Sequence, residues 1–93
     1  MTHVTIDGTH FTTPAGFWRE AERSLAGDPN WSITQNADVF DDLLEGGYHR
    51  HSLGEPVTIH WLLSKRSRRR LGGFFEEVVA QIGTHPHVTL SLE

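Results

Sequence analysis

The chain has 93 residues, 37% apolar and 22% charged, with a net charge of −4. That length makes one domain, expected to span residues 1–93. No apolar run approaches the ~18 residues of a membrane span, and the lack of cysteine excludes disulfide frameworks, thiol catalysis and cysteine-based zinc sites.

His3 to Asp7 alternates with period two and predicts a first strand, closed by the Asp7-Gly8 turn signal. Thr13-Pro14 reads as a helix N-cap followed by proline at the first helical position. The helix is expected from about Pro14 to Ala26, with Phe17, Trp18, Ala21 and Leu25 on one face, and Gly27-Asp28-Pro29 ending it. Residues 30–35 are polar except for Trp31 and Ile33 and read as a loop. Asn36 is a good N-cap for a second helix over about Ala37 to Glu45. Its inner face is Val39, Phe40, Leu43 and Leu44. Gly46-Gly47 stops it, and Tyr48 to Glu55 reads as a loop.

Pro56 to Leu63 is the strongest strand signal, β-branched and nearly continuously apolar, which predicts a strand covered on both faces. A basic run follows, and Gly72-Gly73 reads as a bend or a helix lead-in. Phe74, Phe75, Val78, Val79 and Ile82 mark a third helix, with Gly83 past its end. His87 to Leu92 alternates and predicts a last strand. The order β-α-α-β-α-β makes the second and third strands a parallel βαβ unit.

Charge is unevenly placed. Lys65, Arg66, Arg68, Arg69 and Arg70 hold five of the eight basic residues, while Asp38, Asp41, Asp42 and Glu45 put four acids on one face of the second helix. Like charges three and four residues apart repel, and no basic residue within that helix offsets them. Only the acids near its positive N-terminus gain from the helix dipole. Paired carboxylates can perform acid/base work, bind a metal or oppose a cationic partner, and a face kept this acidic against its own repulsion suggests a binding use. The basic run could meet phosphate, but it lacks interleaved aromatics and the chain is acidic, the opposite of the usual nucleic-acid footprint. It reads as a solvated segment, and nucleic acid is not an expected partner. His49-Arg50-His51 and His85-Pro86-His87 have the spacing of metal pairs. An H-x-H pair alone is a weak signal, and in loops both should face solvent, so no metal or other cofactor is expected. His60, in the strongest strand, should be half-buried and hydrogen-bonded. Phosphate-binding glycine loops and nucleophile motifs are absent, so an enzyme is not expected.

The stretch Asn36-Ala37-Asp38-Val39-Phe40-Asp41-Asp42-Leu43-Leu44 resembles the signature helix of the barstar family, intracellular inhibitors of a secreted guanyl-specific ribonuclease. The family pattern is Asn-Leu-Asp-Ala-Leu-x-Asp-x-Leu after a proline and an aromatic loop, the places here of Pro29 and Trp31. The resemblance runs along the chain. His3 to Gly8 is similar to the family's first strand and turn, Glu55 to Trp61 to its second strand, and Phe74 to Ile82 with Val88 to Leu92 to its last helix and strand. The loop before the helix differs, with one aromatic and no glycine.

The resemblance implies an α/β, barstar-like fold, a three-stranded parallel sheet with about three to four helices packed around it. It implies a protein inhibitor that plugs a basic ribonuclease in a 1:1 complex, working in the cytoplasm without a membrane. Met1 to Thr5, with no basic or apolar leader segment, and the absence of cysteine agree with that location. Asp42 matches the central carboxylate that mimics substrate phosphate, and Asp38 its partner one turn earlier. With them, Trp31, Thr34, Asn36, Asp41, Glu45 and Tyr48 form the expected partner-binding set. The alternative is a barstar-like binding or immunity module for another basic protein or toxin.

Overall fold

A computed structural model describes residues 2–26, 37–46 and 54–93. Strand β1 (Thr2–Asp7) leads to helix α1 (Pro14–Ala21), which continues as a π-helical turn over Glu22–Ala26. Helix α2 (Ala37–Glu45) follows, then strand β2 (Val57–Leu62), helices α3 (Ser64–Leu71) and α4 (Gly73–Gly83), and strand β3 (Val88–Leu92). The three strands form one parallel sheet in the order β1-β2-β3. Thr2 stands opposite Val57, and Val57 opposite Val88. The fold is the expected α/β architecture, with four α-helices among the described residues.

Local chemistry accounts for the elements. Thr13 caps α1, its hydroxyl oxygen accepting from the Gly16 N–H at 3.1 Å, and Pro14 occupies the first turn, where a missing N–H costs nothing. Phe17, Trp18, Ala21 and Leu25 are all buried, as their spacing predicts. The last five residues of this segment are wound as a π-helix rather than the expected α-helix. In that turn the Ser24 hydroxyl donates to the Thr5 carbonyl at 2.7 Å, tying the helix to β1.

The strand signal of β2 is borne out, but the covering is one-sided. Val57, Ile59 and Trp61 are buried while Thr58, His60 and Leu62 are half-buried. On the same outer face, His3 and Thr5 of β1 and Thr89 of β3 are exposed. The core thus lies on one side of the sheet. There Phe17 stacks on Trp61 at 5.1 Å between ring centroids, and Phe40 packs edge-on against Phe17 and Trp18. His60 is half-buried and bonded as expected. Its Nδ1 lies 2.5 Å from Glu93 Oε2, and its Nε2 lies 2.9 Å from His3 Nδ1.

The basic run is a helix, not the plain solvated segment expected. Lys65, Arg68, Arg69 and Arg70 do face water, but Ser64, Ser67 and Leu71 are buried on the opposite side. The Ser67 hydroxyl accepts from the Trp61 indole N–H at 3.0 Å. Gly8 makes this junction possible, since a Cβ there would stand 2.5 Å from the Leu62 carbonyl oxygen and 3.0 Å from Ser67 Oγ. Gly72, with φ 58°, makes the bend between α3 and α4.

Glu20 is the principal buried charge of α1, 4% exposed. Its carboxylate accepts from the Asp7 N–H at 2.8 Å, from Arg23 Nε at 3.0 Å and Nη2 at 2.8 Å, and sits 3.0 Å from His10 Nδ1. Burial alone would raise its pKa. The hydrogen bonds from Arg23, Asp7 and His10 outweigh burial and hold the carboxyl below its ordinary 4.5. A carboxyl lowered on folding contributes stability above its unfolded pKa and loses it as pH falls through the folded value. We therefore expect Glu20→Gln to cost about 2 kcal/mol at neutral pH, with the gap to wild type narrowing below pH 4.5. Urea unfolding of both proteins across that range checks this; a gap that stays constant contradicts it.

Candidate functional site

Helix α2 presents two different acidic surfaces. Its inner side chains Phe40, Leu43 and Leu44 are buried and Val39 is half-buried, as the spacing predicts. Asp38 and Asp42, one turn apart, are exposed, and neither makes an ion pair with another described residue. Asp41 and Glu45, also one turn apart, both reach His85. Asp41 Oδ1 is 2.9 Å from His85 Nε2, and Glu45 Oε1 is 2.5 Å from His85 Nδ1.

His85 therefore bridges two carboxylates through its two ring nitrogens. It is 7% exposed and lies in the connection between α4 and β3, so the expectation that its H-x-H pair faces solvent is overturned. The reason is backbone geometry. The His85 N–H donates to the Ile82 carbonyl at the end of α4, and its carbonyl accepts from the Val88 N–H, a tight turn that points the ring at α2. Burial works against a charge on this imidazole, but the hydrogen bonds and charges of Asp41 and Glu45 outweigh it and raise its pKa above the ordinary histidine value. In return, the bond from His85, with another from Gln81, lowers the Asp41 carboxyl.

His87 adds a second tie. Its Nε2 lies 2.8 Å from the Leu44 carbonyl in the last turn of α2, where the ring N–H is met by an acceptor at the helix C-terminus. The Glu45 carbonyl is met by the Gly54 N–H at 2.8 Å. His85 and His87 thus fasten the C-terminal half of α2 to the α4–β3 turn, where the negative end of the helix dipole favours a cation. The repulsion that α2 cannot offset from within is eased from outside by His85, 40 positions along the chain from Glu45 and 44 from Asp41.

Of the sequence-predicted site residues, α2 carries Asp38, Asp41, Asp42 and Glu45 together, split into an outward pair and a pair turned to His85. Trp31, Thr34, Asn36 and Tyr48, and the His49-Arg50-His51 pair, lie outside the described residues. Sequence reasoning missed His85 and His87 as partners of the acidic helix. The available signal was the acidic face without a cation of its own. No described helix is long and apolar enough to cross a membrane. A scan against protein-family models finds no match for the chain, and a search of curated proteins finds none either.

Proposed function

We propose that this chain is a barstar-like inhibitor of a secreted guanyl-specific ribonuclease, acting in the cytoplasm by a 1:1 complex and not as an enzyme. The observation that carries the reading is the exposed Asp38–Asp42 pair, two carboxylates one turn apart on an anchored helix. The residues that match the family's inhibitory carboxylates are the two that α2 leaves unengaged. A carboxylate held on a helix offers an arginine the bidentate geometry of a phosphate oxygen pair. The anchoring of Asp41 and Glu45 by His85 fixes where Asp38 and Asp42 point, which lowers the ordering cost of binding.

The direct test is titration of a microbial guanyl-specific ribonuclease with the protein. RNA cleavage should fall linearly to zero at one equivalent. Full cleavage at several equivalents refutes the ribonuclease reading. Capture of a different basic protein on the immobilised chain, released by salt, then supports the alternative of a binding module for another toxin.

The basic helix α3 should be dispensable for this activity. Arg68, Arg69 and Arg70 are exposed, and the Arg68–Glu76 pair at 3.1 Å is solvent-screened and adds little. Replacing all three arginines with serine moves the net charge from −4 to −7. Association with a cationic partner should be unchanged or slightly faster. Stopped-flow mixing at low salt reads this directly, and lost inhibition in a folded triple variant places α3 in the interface.

A further inference from the structure

We propose that Glu45, His85 and His87 form a binding site for a divalent transition cation of the zinc type. The three side chains come from two places in the fold, the end of α2 and the α4–β3 turn. Each offers one ligand atom, and all three atoms lie within 4.8 Å of one another. Two imidazoles and one carboxylate are the donor set of three-ligand zinc sites that keep a fourth position for water or a further ligand. Imidazole nitrogen selects this class over magnesium and calcium, which take oxygen ligands.

The arrangement around the donors argues for more than chance proximity. A metal-ligating histidine is normally oriented by an acceptor on its other nitrogen. Asp41 occupies that place for His85, with Oδ1 2.9 Å from Nε2, so Nδ1 faces Glu45. The Leu44 carbonyl holds the His87 ring in position at Nε2. The backbone under both histidines is pinned as well. The His85 N–H and C=O are both paired, and the His87 carbonyl accepts from the Val57 N–H of the central strand at 3.0 Å. Pro86 stiffens the span between them. The histidine side of the site is therefore held in place, while the exposed Glu45 carboxylate, 2.5 Å from His85 Nδ1, shifts to admit an ion. A cation entering the site replaces the proton shared between His85 Nδ1 and Glu45, which is released to water, and the contact that helps fasten α2 to the α4–β3 turn becomes a coordinate link. The inference is independent of the proposed inhibition, and its test needs no ribonuclease.

The experiment titrates the full chain, freed of metal by chelator, with zinc chloride and separately with magnesium chloride, following the thermal midpoint and the heat of binding. Zinc should bind with one equivalent and raise the midpoint, and magnesium should do neither. Cobalt(II) in place of zinc should give the visible absorption of a low-symmetry, nitrogen-containing site. His87→Asn keeps an N–H for the Leu44 carbonyl and Glu45→Gln keeps an acceptor for His85, so both variants should fold. Each should lose the zinc response by tenfold or more in affinity. A double variant His49→Ala with His51→Ala should keep it. No zinc response in the wild-type chain, or a response that survives both His87→Asn and Glu45→Gln, overturns the proposal.

Discussion

On the proposed function, replacing Asp42 with alanine should weaken inhibition of the target ribonuclease more than any other single change in α2. The exposed carboxylate is aimed outward from a helix whose neighbouring acids, Asp41 and Glu45, are taken up by His85. If it pairs with the cationic groups of an active site, its loss removes the anion and leaves those groups buried without a counter-charge. Truncation of such a contact costs more than ~2 kcal/mol, a loss of roughly thirtyfold or more in affinity. Asp38→Ala should have the same sign and a smaller size. Asp41→Ala and Glu45→Ala should act mainly on stability, because each removes one half of the His85 bridge. Inhibition constants for the four variants, set beside their urea midpoints, separate the two pairs. An Asp42→Ala protein that inhibits like wild type, while Asp38→Ala abolishes inhibition, would show that the helix is read one turn out of place.

The largest effect on folding should come from Trp61. Its side chain is fully buried near the C-terminal end of β2, the middle strand of the sheet. It stacks on Phe17, meets Phe75 at 5.0 Å and Phe11 at 6.2 Å between centroids, and donates its indole N–H to Ser67. Aromatic-to-alanine changes in such a position cost about 3–5 kcal/mol, through lost burial plus the cavity left behind. A domain of this size has only about 5–15 kcal/mol in total, so Trp61→Ala removes a large share of it. Ser67→Ala tests the polar half of the same contact. It leaves a buried indole N–H without its acceptor and should cost about 1–3 kcal/mol. Urea denaturation at neutral pH gives both numbers. A Trp61→Ala midpoint close to wild type would mean that the aromatic cluster is not the centre of the core.

The reach of the sequence differs from element to element for physical reasons. Helix α2 was legible to its end residues because both of its faces carry a signal, apolar at 39, 40, 43 and 44 and acidic at 38, 41, 42 and 45. Strand β2 was legible from its β-branched run, but its alternation of burial was not. Thr58 and His60 are polar enough for the open side of a sheet, yet they stand among apolar residues that suggested cover on both faces. Helix α3 escaped because its inward side is Ser64, Ser67 and Leu71, two small polar residues and one leucine. That stripe becomes readable only once Ser67 is known to be the acceptor for Trp61. The site was half legible. The acids were found, and their intramolecular partner was not, because a histidine beside a proline in a short connection carries no mark of burial. What buries it is the distant packing of α2 against the end of α4, which no local pattern encodes.

The register of the sheet also bears on how the chain assembles. Parallel strands cannot be joined by a tight hairpin, so each pairing must close a long loop first. Val57 meets Val88 across about a third of the chain, and most of that span is already wound into α3 and α4. Thr2 meets Val57 only across more than half of it. Loop-closure entropy grows with the logarithm of length, about 0.6 kcal/mol per doubling, and local helices shorten the effective search. The segment from β2 to β3 is therefore expected to form first, with β1 and α1 docking onto it late. Folding should be slower than in a helical bundle of equal size. Substitutions in β1 should speed unfolding with little effect on the folding rate, while those at the β2–β3 pairing should slow folding itself.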